Sequence, residues 1–308
     1  MSDERGPADL AFVIVTFESQ EFVTSCLDAI SEDAVGRHET VVVDNASGDA
    51  SIERARAHPS RPRIIANRVN VGFGTACNQG ARASAADWLF FVNPDARLRR
   101  GATEALLRTL SGDSGLAAVG PSITDPSSGY RALSAGHEPS GRSAIGHFLL
   151  LGRVPGLARL FPPMQLPPTR EPRDVEWLSG AALLVRREAF ERVNGFDEGM
   201  FLYMEDVDLC RRLRKDGWRL RYAPSASVDH VMGGSQGSNA IDRWYTAFDA
   251  YLRRHHGAAS AKLAHLAAFL GMGMRAVAYR VMGGRAEQVA RMTRGARAAG
   301  IALAGRAK

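Results

Sequence analysis

The sequence predicts an α/β protein with a mostly parallel central sheet flanked by helices, followed by a C-terminal helical extension. Between residues 10 and 120, short apolar runs alternate with segments whose apolar residues recur at helical spacing. This alternation is typical of parallel strands joined by crossover helices. From Trp244 onwards the apolar spacing is helical. We therefore expect two domains, residues 1–240 and 241–308.

The first half predicts five strands with helices between them. Each strand is a short, continuous apolar run, as expected for a strand that is buried on both faces. The predicted strands are Leu10–Thr16, Glu39–Asp44, Arg63–Asn67, Asp87–Val92 and Leu116–Gly120. In such sheets ligands bind beyond the carboxyl ends of the strands. Polar residues follow three of these ends and should face one crevice.

The second half is less regular. Residues 122–174 have weak periodicity and many prolines and glycines, which indicates loops. Strand and helix patterns then resume, and a glycine-rich segment could close over a bound ligand. The predicted elements are Val175–Arg186, a helix Arg187–Val193, a helix Asp208–Lys215, strands Trp218–Tyr222 and Ser227–His230, and the loop Gly233–Gly237.

Composition and charge narrow the class of protein. Of 308 residues, 45% are hydrophobic and 23% charged, which is ordinary for a soluble globular protein. The net charge is +6, but residues 253–308 hold 11 basic residues and one acid, so residues 1–252 carry −4. An acidic body with a basic tail argues against nucleic-acid binding along the chain. It predicts that the C-terminal end meets an anionic partner.

Cysteine usage and the N-terminal segment predict a cytoplasmic protein. Cys26, Cys77 and Cys210 lie far apart and are odd in number, which favours buried thiols over disulfides or a zinc site. The first ten residues are charged and lack the apolar core of a signal peptide. The sequence has no run of 18 apolar residues, so we expect no transmembrane helix.

Acidic residues mark candidate chemistry. Asp44 and Asp95 each end an apolar strand, where a carboxylate can bind a divalent cation or form a turn or helix cap. Three acids in four residues, Glu205 to Asp208, open a helix. Negative charge at a helix N-terminus is favourable, which explains some of these acids. Three acids are more than a helix cap needs, so we expect some of them to act in a functional site. His230 ends the last strand, as a structural donor or a ligand.

A further candidate segment begins near Asn70. Gly72, Phe73 and Asn78 lie in a stretch rich in glycine and amide residues at a predicted helix start. Backbone N–H groups at such a position can meet an anion.

These motifs, in this order, resemble glycosyltransferase family 2 enzymes of GT-A fold, and among them the bacterial rhamnosyltransferase-like members. The resemblance covers roughly residues 9–238. It rests on the TFES segment from Thr16, Val43–Ser47, Asn70–Gly74, Asn93–Asp95, Trp177–Ala181, Gly195–Glu198 and Phe201–Leu209.

The resemblance implies an inverting transfer from a nucleotide-diphospho-sugar. Thr16, Phe17 and Glu18 would border the nucleotide, and Asp44 would hold the base or ribose. Trp177 would line the donor sugar and acceptor. The remaining implied nucleotide-sugar contacts are Asn70, Gly72, Phe73, Asn78, Asn93 and Gly180.

The resemblance also implies the reacting groups. Asp206 matches the catalytic base of the family, with Glu205 beside it. Asp95 fills the last position of the DXD-type motif for Mg²⁺ or Mn²⁺, whereas Asn93 replaces its first carboxylate. His230 lies where some members place a further metal ligand.

The implied donor is deoxythymidine-diphospho-rhamnose, and the acceptor a polyprenyl-linked or cell-wall glycan. We expect the basic C-terminal helices to meet the inner face of the cell membrane. A merely solvated helical face and homodimer formation through Trp244–Leu252 are the other options. Two alternatives remain open at this point. One is a sugar nucleotidyltransferase, although the first strand lacks its glycine- and lysine-containing loop. The other is a sugar-nucleotide-binding scaffold without catalysis.

Overall fold

The computed structural model describes residues 9–126, 134–166, 169–231, 240–284 and 286–304. These residues form two compact units. The first holds residues 9–126, 134–135, 169–201 and 205–231, and the second holds residues 136–166, 202–204, 240–284 and 286–304. The domain division at residue 240 remains a prediction. The loop Gly233–Gly237 lies outside the described residues.

The strands are numbered in chain order. They are β1 (Leu10–Thr16), β2 (His38–Asp44), β3 (Arg63–Ala66), β4 (Trp88–Val92), β5 (Ala96–Leu98), β6 (Leu116–Thr124), β7 (Ala135–Gly136), β8 (Arg173–Val175), β9 (Trp177–Leu178), β10 (Ala182–Arg186) and β11 (Arg219–His230).

The helices alternate with these strands through the first half of the chain. They are α1 (Val23–Asp33), α2 (Ser51–Ala57), α3 (Phe73–Arg82), α4 (Ala102–Ser111), α5 (Gly141–Phe148), α6 (Arg187–Arg192), α7 (Glu205–Lys215), α8 (Ala240–Val281) and α9 (Ala286–Leu303). Within the described ranges, no helix is long and apolar enough to cross a bilayer.

A mixed nine-stranded sheet organises the first unit. Its order is β3-β2-β1-β4-β10-β6-β11-β5, with β8 also paired to β11. The pairs β1–β2, β1–β4, β2–β3 and β6–β11 are parallel, which confirms the mostly parallel sheet. Strand β10 runs antiparallel to both β4 and β6. A separate two-stranded sheet consists of β7 and β9.

The core of the first unit follows from the strand composition. Every residue of β1 is buried, as its continuous apolar run predicts. Phe12 and Phe90, on neighbouring strands, pack with ring centroids 5.5 Å apart. Leu27 of α1 and Leu106 of α4 belong to the same buried cluster. Helices therefore cover the sheet, and the polar strand ends remain at its edge.

Two expectations for the second half are wrong in detail. The predicted strands Trp218–Tyr222 and Ser227–His230 are one strand, β11, whose register with β6 shifts between Ala223 and Ser227. Pro224 lies in this shift, because proline has no N–H for a ladder. The irregular middle segment also contains α5, whose N-terminus is capped by the Ser140 hydroxyl.

The C-terminal region, which forms most of the second unit, is helical as predicted. Helix α8 is interrupted at Gly257, whose φ of 80° suits glycine. His265, beyond this point, packs its ring against those of Tyr245 and Phe248, with centroids 6.1 Å and 5.8 Å apart. The two halves of α8 therefore lie side by side, and α9 packs against α8 through small residues such as Gly295.

Candidate functional site

The candidate site lies along one edge of the large sheet. Thr16 is paired with Asp44, and Ile14 with Val92, so β1, β2 and β4 end side by side. Because β10 is antiparallel to β4, it begins at this edge, with Ala182 opposite Val92. The residues after three parallel strands therefore meet the residues before β10.

The Asp44 carboxylate is fixed within the first part of this edge. It is only 3% exposed. Its Oδ1 accepts the hydroxyls of Thr16 (3.0 Å) and Ser47 (2.6 Å), and its Oδ2 accepts the Ser47 N–H (3.1 Å). The turn that the sequence suggested is present, so Asp44 shapes the loop after β2. Its contact with a base or ribose stays a prediction.

Phe17 and Glu18 lie beside that loop. The Glu18 carboxylate accepts the N–H of Gly48 (2.7 Å), and the Glu18 N–H donates to Ser47 Oγ (3.1 Å). Glu18 has a φ of 51°, an uncommon left-handed conformation. The Phe17 side chain is 40% exposed, so its ring offers a surface on which a nucleobase can stack.

Asp95 and His230 meet at the end of β4. The pairing of His230 with Ala96 brings the imidazole beside the carboxylate, with His230 Nε2 3.0 Å from Asp95 Oδ1. Among the described residues, no donor is aligned with this buried oxygen. The amide of Asn93 lies 3.4 Å from the same imidazole nitrogen. When Nε2 accepts from Asn93, it and Asp95 Oδ1 are two neighbouring acceptor atoms without a proton between them, and such a pair is suited to bind a cation.

The donor set at this point is small. Within the described ranges, no cluster of three or more His, Cys, Asp and Glu side chains could hold a metal ion. Asp95 and His230 offer one oxygen and one nitrogen, so these two side chains would hold a divalent cation only together with ligands from outside the protein.

Gly72 brings the start of α3 against the segment that precedes α7. Its φ is 87°, and a Cβ there would lie 2.5 Å from Phe201 O. The Phe73 N–H donates to that same carbonyl (2.9 Å), and Asn70 Oδ1 accepts the Gly72 N–H (3.0 Å). These N–H groups are therefore engaged within the protein. A direct donor contact of Asn70, Gly72 or Phe73 stays a prediction.

Asn78 is also engaged by the protein. Its Oδ1 accepts the Phe196 N–H, and its Nδ2 donates to Phe196 O, both over 2.9 Å. Nδ2 also lies 3.1 Å from Glu198 Oε1. The side chain thus holds the Gly195–Glu198 motif onto α3. This gives Asn78 a positioning role, and its contact with the donor stays a prediction.

Helix α7 holds the residues before β10 at two points one helical turn apart. Asp206 Oδ2 accepts the Gly180 N–H over 2.8 Å, and Cys210 Sγ lies 3.4 Å from the Leu178 nitrogen, which donates to it. Residues at i and i+4 share one helix face. The half-buried Trp177 begins this short segment in β9. Asn93 N–H donates to Ala181 O (2.9 Å), which joins it to the end of β4.

The two acids that open α7 differ in environment. Asp206 is partly exposed and accepts backbone N–H groups from Gly180 and Val207, each over 2.8 Å. Glu205 is buried, and no hydrogen-bond donor within the described part of the chain reaches its Oε2. Burial raises the pKa of Glu205 to about 8, and the adjacent Asp206 charge adds to this. Burial also raises the pKa of Asp206, against the effect of its N–H donors.

Sequence reasoning missed the residues that position these groups. Asn45 Nδ2 donates to Gly72 O (3.2 Å), and Asn67 Nδ2 donates to Asn45 Oδ1 (2.9 Å). Ser47 fixes Asp44, and the Phe201 carbonyl receives Phe73. The Asp-x-x-Ser spacing after β2 could have identified Ser47, because it is a capping pattern. No sequence signal identifies a backbone carbonyl as an acceptor.

Comparison with known families decides the class of protein. The sequence model of glycosyl transferase family 2 matches residues 11–193, more than half of the chain. The chain belongs to glycosyltransferase family 2. A second model, glycosyl transferase family group 2, matches residues 170–271. The membership of the chain in this family confirms the predicted enzyme class, a glycosyltransferase.

Individual relatives refine this assignment. The chain is 34% identical over 268 residues to N-acetylglucosaminyl-diphospho-decaprenol L-rhamnosyltransferase of Mycobacterium tuberculosis, covering 80% of this chain and 81% of the relative. This confirms the rhamnosyltransferase-like resemblance.

Solved structures show the GT-A fold. A mannosyltransferase from Pyrobaculum calidifontis, in complex with GDP-Man and Mn²⁺, matches with a TM-score of 0.57 and 17% identity over 96% of this chain and 82% of its own. GalNAc-T7 with UDP, GalNAc and Mn²⁺ matches with a TM-score of 0.56 and 16% identity, over 80% of this chain and 48% of its own.

The close approach of Gly72 to Phe201 generates a prediction. We expect Gly72→Ala to lower the free energy of unfolding by roughly 2 kcal/mol or more, because Cβ meets a backbone carbonyl in a left-handed conformation. Gly101→Ala is the matched control, since Gly101 has a φ of 81° and open space around it. Urea unfolding compares the two. Equal losses of stability would refute the claim that the contact matters.

The Glu205 environment predicts a pH dependence of stability. Its carboxyl is protonated in the folded protein up to about pH 8, whereas it ionises near pH 4.5 when unfolded. The unfolded state therefore binds fewer protons between these values, and stability falls as the pH rises. We expect Glu205→Gln to gain stability relative to the parent from about pH 5 to about pH 8, and no further above. Urea midpoints measured across this range would contradict the account if their difference stayed constant.

Proposed function

We propose that this glycosyltransferase moves L-rhamnose, with inversion, from deoxythymidine-diphospho-rhamnose to a hydroxyl of a polyprenyl-linked or cell-wall glycan acceptor. The observation that carries the proposal is the Asp206 carboxylate, which the Gly180 N–H fixes at the sheet edge. The choice of sugar and acceptor rests on the mycobacterial relative, whose name specifies rhamnosyl transfer to N-acetylglucosaminyl-diphospho-decaprenol.

Asp206 acts as the general base in this proposal. An acceptor hydroxyl is a weak nucleophile until a positioned group takes its proton. The hydroxyl oxygen attacks the anomeric carbon and passes its proton to the Asp206 carboxylate, while the bond to the nucleotide diphosphate breaks with its electron pair. A single displacement inverts the configuration and needs one base, unlike glycoside hydrolysis with its two carboxylates.

The neighbouring acid tunes this base. Because Glu205 is protonated below about pH 8, it does not add a second negative charge beside Asp206 at neutral pH. The raised pKa of Asp206 makes it a stronger base than an exposed aspartate. The fixed backbone N–H donors keep its carboxylate in one orientation. Glu205 therefore supports catalysis without contacting the acceptor.

The donor would lie across the ends of β1, β2 and β4. The exposed ring of Phe17 can stack on the base, and the loop held by Asp44 and Glu18 borders the nucleotide. Trp177 and Gly180 would line the sugar and acceptor. Asp95 and His230 would hold Mg²⁺ or Mn²⁺ beside the diphosphate. That cation supplies Lewis-acid stabilisation of the leaving charge.

The nature of the acceptor indicates where in the cell the enzyme would work. A polyprenyl-linked acceptor is anchored in the membrane, so the enzyme would work in the cytoplasm as a peripheral protein at the inner membrane face. The basic C-terminal residues support this, because each basic residue near an anionic surface contributes about 1 kcal/mol. Pairing of two copies through Trp244–Leu252, which precedes the basic residues, would be compatible with this placement.

Replacement of the base tests the mechanism. We expect Asp206→Asn to lower turnover by roughly 10²–10⁴-fold, because the amide cannot take a proton. Donor binding should persist, since the amide oxygen can still accept the Gly180 N–H. Asp208→Asn is the control, because Asp208 pairs with Arg212 over 2.6 Å and has no proposed contact with the acceptor. Near-parental turnover of Asp206→Asn in a rhamnosyl-transfer assay would refute the assignment.

Thermal shift with nucleotide sugars tests the donor and the cation together. A ligand at 100 times its dissociation constant stabilises a protein by about 2.7 kcal/mol. We expect the largest shift with deoxythymidine-diphospho-rhamnose and Mn²⁺ or Mg²⁺, and a smaller one with chelator. Asp95→Asn and His230→Gln should lose the metal-dependent part.

The control for these variants is His58→Gln. His58 also pairs with an aspartate, Asp28, over 3.0 Å, but in a different place. Its metal-dependent shift should equal that of the parent. A shift that is independent of the metal in every variant would contradict the role of Asp95 and His230.

A further inference from the structure

The second half of α8 exposes large apolar side chains while it buries small ones. Its buried residues include Ala264, Ala267 and Ala268. Ordinary amphipathic helices bury their large apolar residues, so this arrangement is reversed. Six of its exposed apolar residues share one side of the helix and are named here the α8 stripe: Leu263, Leu266, Leu270, Met274, Val277 and Val281.

The α8 stripe has the geometry of one continuous surface. Successive members are separated by three or four residues, so they lie along one side of the helix. The stripe runs from residue 263 to residue 281, and the 18 steps between them correspond to about 27 Å of helix. Between 41% and 79% of the surface of each member is exposed. Contiguous apolar surface of this kind marks an interaction site on a folded protein.

Basic residues accompany the stripe at both ends. Lys262 lies one turn before Leu266, and Arg280 lies three residues after Val277; both are exposed. On α9, Arg291, Arg294 and Arg297 are exposed as well and add positive charge. Between residues 250 and 304 the sequence has a single acid, Glu287.

The charge pattern decides which occupant covers the stripe. A second copy would bring the same basic residues against one another across a symmetric contact, which like charges disfavour. A lipid surface with anionic headgroups pairs with the basic residues and accepts apolar side chains beside them. We infer that the α8 stripe inserts into the headgroup region of an anionic membrane, with α8 lying in the membrane plane.

The inference deepens the proposed function, on which it rests for the presence of a membrane-anchored acceptor. Basic charge alone would hold the protein at the surface through electrostatic attraction, which salt screens. Insertion of the stripe adds a hydrophobic contribution that salt does not screen. The protein should therefore remain partly bound to anionic vesicles at high salt.

Flotation with vesicles of phosphatidylglycerol and phosphatidylethanolamine tests the inference on the full chain. We expect the double variant Leu270→Gln, Met274→Gln to bind at least about tenfold more weakly than the parent, because two apolar side chains no longer enter the lipid. The double variant Val35→Gln, Val69→Gln is the matched control, since it replaces two exposed valines of the first unit. Its binding should equal that of the parent.

A tryptophan at the stripe gives a second readout. Met274→Trp should show added quenching of its fluorescence by brominated lipids, relative to the parent, whereas Val69→Trp should show none. Equal flotation of the stripe variant and the parent would overturn the inference. A parental dimer that the stripe variant converts to a monomer, with unchanged flotation, would overturn it in favour of a contact between copies.

Transfer to a water-soluble acceptor analogue separates this inference from the proposed function. Parent protein that floats through the stripe but transfers no sugar would support the inference and contradict the function. Parent protein that transfers sugar, with flotation that ignores the stripe, would contradict the inference alone.

Discussion

The hydrogen bond from the Gly180 N–H to the Asp206 carboxylate fixes the geometry on which the rest of the site depends. It joins the first turn of α7 to the residues that lead into β10. Cys210, one turn further along α7, binds the same segment through Leu178. A carboxylate held by backbone donors keeps one orientation without losing its access to a proton. That is the requirement for a general base in a single displacement.

The direction of β10 explains why this contact is possible. Since β10 is antiparallel to β4, its start meets the end of β4, and Asn93 donates to Ala181 across the join. On the other side, Gly72 brings α3 within backbone contact of Phe201. The loop after β2, the Asp95–His230 pair and the α7 acids are thus connected by short hydrogen bonds in which main-chain atoms take part. Such bonds would hold the proposed reacting groups in a fixed arrangement.

The sequence predicts the parallel part of the fold well, because continuous apolar runs and helical spacing depend on local burial. Strand β1 and the opening of α7 at Glu205 follow this rule. Strand direction has no such signal, so the antiparallel orientation of β10 could not be predicted from the sequence. Helix α5 lies in a segment rich in glycine and proline, where a capping serine outweighs weak periodicity. The motifs predicted the candidate site residues. The main-chain hydrogen bonds that hold these residues in place have no sequence signal and are seen only in the structure.

The anomeric configuration of the product tests the central claim most directly. The parent protein would be given deoxythymidine-diphospho-rhamnose and a polyprenyl-diphospho-N-acetylglucosamine analogue, and the new linkage would be determined by nuclear magnetic resonance. The account predicts a rhamnosyl product whose configuration is inverted relative to the donor. A product with retained configuration would contradict a mechanism based on Asp206 as a single base.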